Sequence, residues 1–222
     1  MDAGLQILND TLNFQIDSTF KNVCYEYTLN GIGADTIWEI AVDQNKIYIL
    51  EPPQGIFVGV APFAKSDTEP YYRIFGGAKV HVYGDNQTTR NTGAGLQVFN
   101  GLGEKVFDSD NIQLKILDYV YGYLGPVSQD IRDNYDYLLQ SKNYDTARLG
   151  ILLGQTPVGL NWYRQTQKFS GCYFKTEGQN VELRFRQMYI KSGYPITMNS
   201  FNSYWVSDMY SYTVADITGI PQ

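Results

Sequence analysis

The stretch Gly4-Leu5-Gln6-Ile7-Leu8-Asn9 returns 91 positions later as Gly95-Leu96-Gln97-Val98-Phe99-Asn100. The match runs on without a gap until Ile16-Asp17-Ser18 meets Phe107-Asp108-Ser109. Six of the fifteen aligned positions are identical, and three more exchange one large apolar residue for another. A repeat at that spacing predicts two similar modules in tandem, residues 1–90 and 91–222, the second copy following a run of turn residues at 84–93. It points to a reused scaffold more than to a single chemical centre.

The residues between the repeats predict the fold class. With 19 tyrosines, 21 glycines and 15% aromatic residues, the chain has the composition of a β protein. Val181, Leu183 and Phe185 alternate with Glu182, Arg184 and Arg186, which is a strand with one wet face. Glu177-Gly178-Gln179-Asn180 supplies the turn before it, and Cys172-Tyr173-Phe174-Lys175 the partner strand. Trp38, Ile40 and Val42 alternate, Asp43-Gln44-Asn45-Lys46 interrupts, and Ile47-Tyr48-Ile49-Leu50 resumes, which reads as a hairpin. Further strands are expected at 56–60, 71–75, 79–83, 113–120 and 150–153. Val127, Ile131, Tyr135, Leu138 and Leu139 fall at helical spacing behind Pro126, so one short helix is expected in the second module. The expectation is a mainly β chain of two tandem antiparallel sandwich-like modules, the second with that helix.

Composition and motifs exclude several function classes. A formal net charge of −6 and no Lys/Arg run argue against nucleic acid. No window reaches the roughly 18–20 apolar residues of a membrane helix, and the first residues lack the pattern of a secretory leader. The chain is therefore expected to be made in a cytoplasm. Cys24 and Cys172 stand too far apart for a disulfide framework and read as reduced, partly buried side chains. His81, the one histidine, lies in an alternating strand and reads as a packed or surface residue. One His and two Cys make a zinc site untenable, and no serine sits in a nucleophile motif. Gly31-Ile32-Gly33 and Gly101-Leu102-Gly103 read as turns, as does Asp108-Ser109-Asp110-Asn111, which lacks the spacing of a calcium loop. No cofactor, metal or catalytic set is expected.

The C-terminal residues Tyr194, Phe201, Tyr204, Trp205, Tyr210 and Tyr212 alternate with Ser, Asn and Asp. Three readings stand side by side: core filling, a subunit interface, or stacking on sugar rings.

The two Gly-Leu-Gln openings, each leading to an apolar-Asp-Ser, resemble the start of small minor structural proteins of tailed bacteriophages. Tyr71-Tyr72-Arg73-Ile74-Phe75-Gly76-Gly77 and Lys79-Val80-His81-Val82-Tyr83 are similar to that family as well. The likeness covers the first module and the opening of the second. It implies a β-rich virion tail or tail-tip component, made in the host cytoplasm and without enzymatic activity. Its implied partners are other tail proteins and further copies of itself, with a host surface glycan or receptor as the alternative.

Overall fold

A computed structural model of the chain describes residues 6–8, 14–17, 21–31, 37–66, 69–85, 95–123, 136–146, 148–153, 158–163, 166–190, 204–205 and 209–222. These residues are mainly β, their sheets are antiparallel, and no helix occurs among them. Before residue 90 come β1 (Gln6–Leu8), β2 (Phe14–Asp17), β3 (Cys24–Asn30), β4 (Ile37–Ala41), β5 (Ile47–Glu51), β6 (Val58–Ser66), β7 (Glu69–Phe75) and β8 (Lys79–Gly84). After it come β9 (Gln97–Phe99), β10 (Lys105–Asp108), β11 (Lys115–Tyr123), β12 (Asp136–Asn143), β13 (Leu149–Leu153), β14 (Val158–Tyr163), β15 (Thr166–Glu177), β16 (Asn180–Ile190), β17 (Tyr204–Trp205) and β18 (Met209–Asp216).

One sheet has the order β11-β18-β13-β5-β8-β3, and the other runs β12-β16-β15-β6-β7-β4, with β14 and β17 branching from β15. Read inward from its two edges, the first sheet gives β3, β8, β5 from one end and β11, β18, β13 from the other. The second gives β4, β7, β6 and β12, β16, β15. Apart from β14 and β17, each of these strands thus has a counterpart, and the described chain has internal two-fold topology. The correspondence holds to the residue around the sequence repeat. In the first hairpin Gln6, Ile7 and Leu8 face Asp17, Ile16 and Phe14; in the second Gln97, Val98 and Phe99 face Asp108, Phe107 and Lys105. The register slips at the same step in both. The next strands, β3 and β11, begin 91 residues apart, and each carries a bulge at its third residue, Glu26 and Leu117.

The halves are not two separate sandwiches. They join edge to edge, β5 on β13 and β6 on β15, into one pair of continuous sheets. An isolated half would leave β5 and β6 as open inner edges, which invite pairing with another strand. Between the sheets lies a shared core that takes Leu50, Val60 and Ile74 from one half and Ile151, Phe174, Leu183 and Val214 from the other. Phe174 and Tyr212 meet edge to face across it, ring centroids 5.2 Å apart.

A second cluster covers the far face of the first sheet. Ile49, Tyr83, Ala215, Ile217 and Ile220 pack there with Val23 and Leu114, the residues just before β3 and β11. The Leu114 N–H donates to the Val23 carbonyl, so the two copies of the segment leading out of the repeat touch each other. This cover explains why β8 is buried on both faces, although Lys79-Val80-His81-Val82-Tyr83 reads as one-sided.

Two further expectations are corrected. β4 and β5 do not form a hairpin; they lie in different sheets, and residues 42–46 arch between them, with the Asp43 N–H donating to the Tyr48 hydroxyl at 2.9 Å. Of the expected helix, Leu138 and Leu139 belong to β12, which pairs with β16 from Asp136 to Asn143. The register shifts between Leu138 and Gln140, leaving Leu139 as an extra residue. Two apolar residues in succession at that bulge mimic helical spacing. Val127, Ile131 and Tyr135 lie outside the described residues.

Candidate docking hairpin

The residues shared by the two repeats can be judged one by one in the second copy. Gln97 donates its side-chain amide to Asp108 Oδ2 at 2.9 Å, and Lys105 Nζ reaches the same oxygen at 2.6 Å. The Asp110 N–H donates to Asp108 Oδ1. Burial alone would raise the Asp108 pKa, but these donors and the ammonium outweigh it and hold the carboxyl below the usual carboxylate range. Asn100 organises the turn: its Oδ1 accepts from the N–H groups of Leu102 and Glu104 at 3.0 and 2.9 Å. Gly103 takes the positive φ of 79° that the turn needs. The Ser109 hydroxyl accepts from the Leu96 N–H at 2.8 Å, and a Cβ on Gly95 would press on that hydroxyl at 2.6 Å.

Gly95, Gln97, Asn100, Asp108 and Ser109 therefore each serve the hairpin. The sixth identical residue serves it only through its backbone: the Leu96 side chain is about half exposed, and so is Phe99, while Leu102 at the turn is 87% exposed. Val98 and Val106 turn inward and are buried, and the Asn22 N–H pins the hairpin by donating to the Val106 carbonyl at 2.9 Å. The result is a hydrogen-bonded hairpin, fixed to the body, that presents three large apolar side chains to solvent. Asp108→Asn is expected to cost about 2 kcal/mol in denaturant unfolding, because the Lys105 ammonium loses its charged partner in a buried setting.

The C-terminal aromatics divide. Tyr210 and Tyr212 are buried in the shared core, with Tyr210 packed over Gly122, so these two are core residues and not contact residues. Tyr204 and Trp205 form β17 and pair through their backbones with Leu160 and Gly159. Tyr194 and Phe201 lie outside the described residues.

His81 is fully buried and held at both nitrogens: Nδ1 meets the Thr28 hydroxyl and Nε2 the Glu51 carboxylate, each at 2.8 Å. A hydroxyl, an imidazole and a carboxylate in a row have the order of a nucleophilic triad. Here the Thr28 hydroxyl also bonds the Tyr25 hydroxyl at 2.8 Å, and Arg148 grips Glu51 with two donors at 2.8 and 3.0 Å. The row acts as a buried polar brace. Cys24 and Cys172 are free and buried, and burial pushes the Cys24 thiol up to about 11.

No family model, curated protein or solved structure matches the chain.

Proposed function

We propose that this chain is a non-enzymatic structural component of a bacteriophage tail or tail tip, assembling with itself and with neighbouring virion proteins. The observation that carries the assembly role is the repeated leucine: in the second hairpin it is the one identical residue whose side chain makes no hydrogen bond, and that side chain stands about half exposed, as does Phe99, with Leu102 more exposed still. A docking contact gives such a residue its purpose, since one short hairpin exposes three large apolar side chains. The placement on a tail rests on the family resemblance of the repeat. The internal two-fold topology supports a part built for repetition, and closed symmetric assembly is the usual outcome for such parts.

The test uses particles purified from a lysate that produces the chain. Wild-type protein is expected in those particles by mass spectrometry. The double variant Leu96→Ser, Leu102→Ser should keep its thermal midpoint within about 2 °C, as surface changes do, yet be lost from particles. Normal incorporation of the double variant would remove the hairpin from the assembly, and absence of the wild-type chain from particles would remove the tail assignment.

A further inference from the structure

The two halves differ at one matched position in the first sheet. In the first half, the covered face of the sheet holds Thr28 on β3 beside His81 on β8, both in the brace. At the corresponding place in the second half stand Tyr119 on β11 and Thr213 on β18, and there the face is open. Tyr119, Tyr121 and Tyr123 all point out of it, exposed by 60%, 71% and 60%. The first two rings stack on each other, centroids 6.1 Å apart and tilted by only 29°. Their cross-strand neighbours are Thr213, Ser211 and Met209, so the row carries no charge.

We infer that this tyrosine row is a binding platform for a neutral glycan. Exposed tyrosine rings stack on the C–H faces of sugar rings, and their own hydroxyls lie at hand. Magnitudes argue against a protein as the main occupant. A tyrosine buries about 150–250 Å² at most, so three rings two-thirds exposed offer roughly 300–500 Å². A stable protein interface needs about 800 Å² from each partner. Nucleobases also stack on such rings, but their phosphates need unpaired cations. Among the described residues, Lys115 on the same strand is engaged with Asp216 at 2.7 Å, and Lys142 holds Asp118 at 2.8 Å.

The experiment is affinity gel electrophoresis of the full chain through soluble linear polysaccharides of glucose, galactose, mannose or xylose, with polygalacturonate as the acidic comparison. At least one neutral polymer should retard the wild-type chain, and polygalacturonate should not. Tyr121→Ala should weaken that retardation by about tenfold or more, with an unchanged thermal midpoint, and Tyr121→Phe should restore it. No retardation by any neutral polymer overturns the inference. So does a Tyr121→Ala change that alters the solution mass by light scattering and not the retardation, since the row would then be a contact between copies of the chain.

Discussion

Replacing Gly59 by valine is expected to destabilise the protein by about 3 kcal/mol or more, enough to unfold many domains at physiological temperature. Gly59 lies on β6 directly opposite Tyr173 on β15, where the two halves of the second sheet meet. A Cβ there would overlap the Tyr173 ring. That ring is fully buried, so it has no free space to swing into. The joint in the first sheet has the same construction with the roles exchanged. Gly150 on β13 belongs to the second half, and a Cβ on it would overlap the Ile49 side chain from the first. Both seams are therefore closed by a glycine from one half beneath a large side chain from the other. Gly150→Val should match Gly59→Val in urea unfolding. Gly101→Ala, with nothing within 4 Å, should change stability by less than about 0.5 kcal/mol. Gly59→Ala combined with Tyr173→Leu should recover part of the loss of Gly59→Ala alone, because the smaller residue vacates the clash. A Gly59→Val variant as stable as wild type would mean that the halves do not meet in this register.

The hairpins were legible in the sequence because their partners are local. Gln97, Asn100 and Asp108 lie within a dozen residues of each other and recur as Gln6, Asn9 and Asp17. The joining of the halves was not legible. Period-two alternation says that a residue faces in or out; it does not say which strand lies alongside. Residues 42–46 look like a hairpin turn, yet they carry the chain from one sheet to the other, and only the later partners β7 and β13 decide that.

The binding surfaces show the same limit. Tyr210 and Tyr212 on β18 sit opposite Gly122 and Val120 on β11, and this row faces the core. Tyr119 and Tyr121 sit opposite Thr213 and Ser211 on the reverse face. Two rows of tyrosines on one strand pair look alike in sequence, and which is exposed depends on where the second sheet lies. The dense C-terminal aromatics drew attention to the buried row. Leu96 was visible as an identity between the repeats, but its exposure was not, since a repeated leucine reads first as core.

Arg148→Met is expected to cost about 3 kcal/mol at neutral pH and to change how stability depends on acid. Arg148 stands just before β13 and crosses the seam to hold Glu51 with two donors; its third arm donates to the Ile220 carbonyl in the C-terminal segment. Both charged side chains are largely buried, at 14% and 18% exposure. Removing one member of such a pair leaves the other charge without compensation, which typically costs about 3–5 kcal/mol, with the low end applying to a partly wet site. Burial alone would raise the Glu51 pKa, yet bonds from His81 and Arg148 outweigh it and bring the carboxyl from 4.5 down to about 2. A carboxyl whose pKa is depressed by folding contributes stability above its unfolded value, and the contribution is lost as pH falls toward the folded value. Wild-type stability should therefore decline between pH 4.5 and about 2 through this group. In Arg148→Met the Glu51 pKa moves back up, so that decline shrinks and the two curves converge in acid. Arg148→Lys keeps the charge but not the fork, and should fall between them. Urea unfolding at pH 7, 4 and 3 measures all three. Parallel curves for wild type and Arg148→Met would show that Glu51 is held down by something other than Arg148, and the brace across the seam would have to be redrawn around His81 alone.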